Sequence, residues 1–238
     1  MPKYHTRFLG DTMMPKSLCD RVYVIGGPGI SHPADCCVYL VDAGKELVMI
    51  DCGAGLGLDA ILKNVKSLNL SSEVCHVVAT HCHIDHIGGV SSLKEICGCK
   101  VVAHVQDAEG IELGDPKLTA ADLYGIDYWP VKIDMVLHEE LETHIFGDLD
   151  LHFLHAPGHT PGSIVVYLDV DGERILFGQD VHGPFSDNWA SDIDMWRKSM
   201  QKLLDLNADI LCEGHAGVFR GKDVKNYIDS QLRRHQHA

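Results

Sequence analysis

The run Thr80-His81-Cys82-His83-Ile84-Asp85-His86, with Gly88-Gly89 just beyond it, constrains this chain more than any other feature. Three histidines and an aspartate fall within the six positions 81–86. Imidazole nitrogens and a carboxylate are the donors that zinc, iron and manganese accept. A regular strand or helix would scatter these side chains. The run follows the apolar stretch 75–80, which reads as a buried strand, so it is expected to be a loop that turns several ligands inward. The glycines let the backbone come close to the site before the next helix begins.

Three later positions share one form. His159 lies in Ala156-Pro157-Gly158-His159-Thr160-Pro161-Gly162-Ser163, Asp180 in Phe177-Gly178-Gln179-Asp180, and His215 in Cys212-Glu213-Gly214-His215. Each sits just past an apolar run and beside glycine. Strand ends gathered along one edge of a sandwich would bring all of them into one cleft. Strands are expected at 21–26, 36–42, 46–51, 75–80 and 100–104, then near 131–138, 143–146, 148–155, 163–169, 173–178 and 209–212. Helical spacing at Leu58, Ile61, Leu62, Val65 and Leu68 predicts a helix over 55–68, and another is expected at 88–97. Residues 106–113 and 119–124 can form helices, with Tyr124, Tyr128 and Trp129 in a loop. A helix over 192–206, N-capped by Ser191, and a closing helix over 221–234 complete the pattern. Two similar halves, each running from strands to helix to strand, predict two sheets face to face with helices outside. The chain is read as an α+β fold and as one domain, residues 1–238.

Charge and cysteine content narrow the partners. Lys and Arg number 20 and Asp and Glu 34, a net charge of −14, which argues against nucleic acid as a partner. Nine cysteines are scattered, with Cys36, Cys37, Cys75 and Cys212 inside apolar runs, and are read as buried free thiols. Residues 1–11 carry no apolar leader, and no run approaches ~18 apolar residues, so no membrane span is expected. These features together predict a cytoplasmic setting. Sixteen histidines are an excess that points to metal, although His235 and His237 in the polar tail read as incidental.

The order Thr-His-x-His-x-Asp-His-x-Gly-Gly, Pro-Gly-His-Thr-Pro-Gly, Gly-x-Asp and Gly-His resembles the metallo-β-lactamase superfamily, with motifs from about Asp51 to His215. The resemblance implies a four-layer αββα sandwich and a binuclear centre of two divalent metal ions, zinc first and iron or manganese as alternatives. It places His81, His83 and His159 on one metal and Asp85, His86 and His215 on the other, with Asp180 bridging. Asp51 in Ile50-Asp51-Cys52-Gly53 matches the family's early Asp-x-Gly and is expected to support a ligand rather than be one. Two cations that share a water can lower its pKa from ~15.7 towards ~7, giving a metal-bridging hydroxide that attacks a polarised carbonyl or phosphoryl group. Asp85 and Asp180 are the expected catalytic carboxylates, with Asp85 handling the proton. No Gly-x-Ser-x-Gly elbow is present, which disfavours a serine hydrolase. Cys82 is expected to point away from its two flanking ligands, and Glu213 stays open between ligand and bystander.

Among relatives, the full ligand set with a bridging Asp looks like glyoxalase II, quorum-sensing lactonases and other ester or thioester hydrolases. True β-lactamases generally lack that Asp, and the RNA-processing branches usually carry basic or inserted elements. Flavodiiron proteins replace the second His with Glu and add a flavin domain. The sequence given departs from glyoxalase II in ending 23 residues after His215 (238 minus 215) and in carrying Gly178-Gln179-Asp180 where Gly-Asp is usual. The expected substrate is a small-molecule ester, thioester or lactone. A mononuclear iron dioxygenase of the persulfide-oxidising kind and a phosphodiesterase are the alternatives. Candidate pocket residues are His32, on a hairpin tip that could form a lid, with Tyr124, Tyr128, Trp129, His182, Phe185 and Trp189. The family contains many dimers, so a homodimer is possible.

Overall fold

Runs rich in Val, Ile and Leu pair into two sheets in the computed structural model, which describes residues 15–236. The expectations for residues 1–11 and His237 lie outside the described residues. The first sheet has seven strands in chain order: β1 (Lys16–Cys19), β2 (Val22–Gly26), β3 (Val38–Asp42), β4 (Leu47–Ile50), β5 (Val74–Val78), β6 (Lys100–His104) and β7 (Met135–Leu137). Strands β1 to β4 pair antiparallel, and β4 to β7 pair parallel. The second sheet contains β8 (Leu141–Phe146), β9 (Leu149–His155), β10 (Ile164–Val170), β11 (Glu173–Gln179), β12 (Ile210–Glu213) and β13 (Gly217–Arg220). Its order is β13-β12-β11-β10-β9-β8, with β11 and β12 parallel and every other pair antiparallel.

Helices cover both outer faces: α1 (Leu58–Ser67) and α3 (Val90–Cys97) on the first sheet, α6 (Ile193–Asp205) and α7 (Lys222–Arg234) on the second. The shorter α2 (Ile84–Ile87), α4 (Ala108–Leu113) and α5 (Ala121–Tyr124) lie in the connections. One apolar layer, including Val41, Ile50, Phe153 and Phe177, fills the space between the sheets. A second packs Met49 and Val77 against Ile61 and Leu93, and a third packs Val165 and Leu211 against Trp196, Met200 and Ile228. The result is the expected αββα sandwich. Strands such as β3 and β4 are buried on both faces, so they read as continuous apolar runs, whereas β8 alternates at its exposed edge.

The topology positions the site. The parallel strands β4, β5 and β6 end on one edge and deliver Asp51, the 80–86 run and Asp107. Strands β9, β11 and β12 share a direction and deliver His159, Asp180 and His215 from the other sheet. The edges are stitched by Ile164 N–H to Thr80 O (2.8 Å) and Cys37 N–H to Gly214 O (2.6 Å). Among the described residues no helix is long and apolar enough to cross a membrane.

The structure corrects several expectations. Strands β1 and β13 were not foreseen: each is a four-residue edge strand with only two apolar residues, and β13 opens on Gly217. The 131–138 strand shrinks to β7. The 106–113 helix splits into a 3₁₀ turn (Val105–Asp107) and α4, while 119–124 shortens to α5. The N-cap of α6 is Asp192, not Ser191. The Asp192 carboxylate accepts from the N–H groups of Asp194 and Met195 (both 2.9 Å), while Ser191 Oγ donates to His159 O (2.7 Å). His235 is not incidental, because its Nε2 donates to His182 O (3.1 Å) and its ring packs edge-on to Phe185 and Trp196.

Candidate metal centre

The 80–86 run is a loop only through His83. From Ile84 the chain makes one helical turn, α2, closed by His86 N–H to His83 O (2.9 Å). That turn brings Asp85 and His86 round beside His81 and His83, which an extended loop could not do. Asp51, in the left-handed region at φ 58°, accepts from Thr80 N–H (2.9 Å), from Thr80 Oγ1, and from His86 Nδ1 (2.8 Å). It thereby turns His86 Nε2 inward, the supporting role expected of it. His159 Nδ1 likewise donates to Pro184 O (2.8 Å), leaving Nε2 to face the cluster. Two glycines are required by close approach: a Cβ on Gly88 would collide with Ala54 O, and one on Gly214 with Asp180 Oδ1.

The donor atoms form two groups, each gathered within 4.8 Å: His81, His83, His159 and Asp180, and Asp85, His86 and His215. His83 Nδ1 lies 3.1 Å from His81 Nε2 and 2.9 Å from His159 Nε2. Asp180 joins the groups, with Oδ1 3.1 Å from His86 Nε2 and Oδ2 3.4 Å from His159 Nε2 and 3.3 Å from His215 Nε2. Asp85 Oδ2 is 3.2 Å from His215 Nε2. A third close set, Cys36, Asp51 and His86, lies behind His86, where the Asp51 hydrogen bond already occupies Nδ1.

This arrangement fits divalent cations. Burial, reinforced by the neighbouring imidazoles, holds His81 and His83 neutral, and burial pushes His159 down to about 4. Neutral rings therefore aim lone pairs at one another, and among the described residues the buried Asp180 Oδ1 makes no hydrogen bond of regular geometry, with His86 Nε2 3.1 Å away. Burial opposes charge on His86 and His215 as well. Even so, Cys36, Asp180 and Asp51 beside His86, and Asp180 and Asp85 beside His215, raise both. The same histidines draw Asp180 well below the ordinary carboxylate range against the effect of burial. Nitrogen and carboxylate donors converging in this way suit zinc, iron or manganese.

Four of the predicted wall residues are assembled here. Tyr124 Oη donates to Asp85 Oδ2 (2.9 Å), and the Trp189 ring stands edge-on to His83 at 4.6 Å. Phe185 lies 6.5 Å from the His159 ring, and His182 lies 5.2 Å from His215. The other three make no hydrogen bond or ring contact with the donor side chains among the described residues. Tyr128 donates to Ile111 O (3.0 Å) and packs in the outer apolar layer of the first sheet. Trp129 is 69% exposed. His32 accepts from Ala34 N–H (3.2 Å) and lies against Gly57. The hairpin tip expected as a lid is tied down by Ser31 Oγ to Asp35 (2.5 Å) and by Cys36 N–H to Asp85 O (3.2 Å).

Sequence reasoning missed Asp107. This buried carboxylate accepts from Cys82 N–H (2.8 Å), Thr160 Oγ1 (2.7 Å) and Gly162 N–H (2.6 Å), so it clamps the loops carrying His81, His83 and His159. No spacing in the sequence marks it. Cys82 Sγ points away from the donors, towards Leu118 O (3.4 Å).

The family described as the metallo-beta-lactamase superfamily matches residues 33–215. A protein of Methanocaldococcus jannaschii named as a probable metallo-hydrolase is 27% identical over 188 residues, 76% of this chain and 87% of that one. A hydroxyacylglutathione hydrolase of Rhizobium johnstonii is 28% identical over 136 residues, 55% of this chain but 43% of its own length. The chain spans 61 to 65% of the length of three other curated relatives. Among solved structures, a class B3 di-zinc metallo-beta-lactamase from an Alaskan soil metagenome superposes with a TM-score of 0.77 at 22% identity, covering 99% of this chain and 96% of that one.

Proposed function

The chain belongs to the metallo-β-lactamase superfamily and is a metal-dependent hydrolase of that fold; we propose that it holds two divalent cations and cleaves an ester, thioester or lactone bond of a small molecule. One observation carries the reading: Asp180 reaches both donor groups, 3.1 Å from His86 Nε2 and 3.4 Å from His159 Nε2. His81, His83 and His159 would hold one cation, and Asp85, His86 and His215 the other, with Asp180 spanning them. Zinc is the first choice, with iron and manganese admitted by the same donors.

When bound, such a pair supplies a water acidified from ~15.7 towards ~7 and a Lewis acid for the scissile carbonyl. The chain's own residues supply orientation and proton handling. Asp51 and the Pro184 carbonyl fix the tautomers of His86 and His159, so that Nε2 faces inward on both. Trp189 covers His83 on one side. The Tyr124 hydroxyl holds Asp85 Oδ2, the atom placed to take up a proton and pass it to the leaving group. Ester and thioester chemistry draws support from the hydroxyacylglutathione hydrolase relative, and a small substrate rather than nucleic acid from the −14 charge.

A second reading has one observation in its favour. His81, His83, His159 and Asp180 form a buried donor set by themselves, which would serve a single iron in a dioxygenase. Metal analysis of the isolated protein, paired with a panel of lactones, thioesters, esters and phosphodiesters, tests both readings. Two metals per chain with lactone, ester or thioester turnover are expected. One iron with oxygen uptake would replace the hydrolase reading, and turnover of phosphodiesters alone would change the substrate class. An Asp85→Asn variant is expected to lose turnover even when loaded with both metals; full turnover with both metals bound would remove the proton role.

A further inference from the structure

Glu213, the last residue of β12, is a carboxylate with no exposed surface. It accepts five hydrogen bonds: at Oε1 from His182 N–H (3.3 Å), His182 Nδ1 (2.9 Å) and Tyr227 Oη (3.1 Å), and at Oε2 from His215 N–H (2.7 Å) and Ala216 N–H (2.6 Å). An ionised carboxylate offers about four lone-pair sites, so this one is saturated. The donors come from three places: the turn after Asp180, the turn that carries His215, and α7. The two backbone amides at Oε2 can only donate. No orientation of a neutral amide in this position serves both oxygens, because its NH₂ end would face donors.

Helix α7 reaches the same turn a second time through His235 Nε2 and His182 O. The set His81, His83 and His159 has a different support, since Asp107 holds Cys82, Thr160 and Gly162. None of the five Glu213 donors belongs to those loops; the turn after Asp180 touches the His81–His83–His159 set through Asp180 itself and through Pro184 O, which takes the His159 Nδ1 hydrogen bond.

We propose that Glu213 is the positioning residue of the Asp85–His86–His215 half of the centre: it holds His215 and the turn after Asp180 in one register, with α7 as its backing. The inference rests on the two-cation reading above. It predicts that the two halves can be uncoupled, with the loss of Glu213 weakening one cation and sparing the other.

The test titrates zinc into the metal-free protein against a chromophoric chelator, with cobalt as a spectroscopic probe of the same sites. In E213Q the second equivalent is expected to bind 10- to 100-fold more weakly, the range for supporting residues around metal ligands, with the first equivalent changed by less than about 3-fold. Y227F removes one donor of the five and leaves α7 tied to this turn through His235 alone, and is expected to weaken the second equivalent about 3- to 10-fold. An unchanged second equivalent in E213Q would overturn the proposal. So would a parallel fall of both equivalents, which is the mark of general loss of structure. If E213Q does not fold, Y227F decides by the same criterion. A wild-type chain that takes up one equivalent overturns the two-cation reading and this inference with it. Two equivalents in wild type and two undiminished in the variants overturn the Glu213 assignment alone.

Discussion

The two halves of the centre are built differently. His81, His83 and His159 are each at most 4% exposed and carry neutral rings, and their loops converge on the single carboxylate of Asp107. The Asp85, His86 and His215 half lies among charges, and the His215 side chain is 29% exposed. The buried half is a nitrogen-rich cage that burial, reinforced by neighbouring imidazoles, keeps neutral and ready for a cation. The other half meets solvent through His215, beside Tyr124 and His182. Asp180, which touches both, should be the residue whose loss damages the comparison most. In Asp180→Ala, turnover is expected to fall by more than about 100-fold, beyond the ten- to hundredfold typical of supporting residues. Metal content should drop below two per chain. Unchanged metal content and rate would mean that the halves are not joined through this carboxylate.

A smaller effect is expected from removing the clamp on the buried half. Asp107→Asn replaces an acceptor-only group with an amide whose NH₂ end faces Cys82 N–H, Gly162 N–H or Thr160 Oγ1. Each buried donor left unpaired costs about 1–3 kcal/mol. Urea unfolding of the metal-free chain should therefore show a loss of about 2–4 kcal/mol. Zinc titration should show the first equivalent weakened and the second largely spared, the reverse of the E213Q pattern. If the same equivalent weakens in both variants, the division of labour between Asp107 and Glu213 is wrong.

The same two carboxylates mark what a sequence can and cannot tell. His81, His83, Asp85 and His86 were legible because four donors crowd one short run, and His159, Asp180 and His215 because each follows a strand end with glycine close by, local signals that survive without coordinates. The αββα order was legible because strands buried on both faces read as apolar runs of strand length. Asp107 was not legible, since its partners lie 25, 53 and 55 residues away and no local pattern records them. Glu213 was visible beside His215 but ambiguous, because only the fold shows that it faces five donors and not the cleft. Tyr128 was misplaced for a related reason. An aromatic residue in a loop packs wherever the nearest apolar surface lies, and here α5 carried only Tyr124 to the site. The edge strands β1 and β13 escaped notice because they are four residues long and owe their pairing to the strand alongside.

The gentlest probe of the comparison uses acid. His104 ends β6, three residues before Asp107, and stacks on His155 with ring centroids 3.9 Å apart and planes 16° from parallel. His155 in turn leads into the loop that carries His159. Burial first, and then His155 and His138, push the His104 pKa from 6.5 to about 4, while Glu142 pulls the other way. The folded chain thus holds this ring neutral at pH values where the unfolded chain would protonate it. Between pH 6.5 and about 4 the unfolded state binds more protons at this site, so stability rises with pH. The contribution is present in full above pH 6.5 and drains away as the pH falls towards 4. Replacing His104 by Leu removes the titration and leaves the carboxylates and the other histidines in common. The stability difference, wild type minus variant, should therefore be constant above pH 6.5 and shrink steadily below it. A difference that stays flat from pH 7 to 4 would show that the stack is not held neutral by the fold. If the difference shrinks as expected, mild acid should also weaken the first zinc equivalent more in wild type than in the Leu variant, because His104 and His155 lie at the roots of the loops that Asp107 clamps.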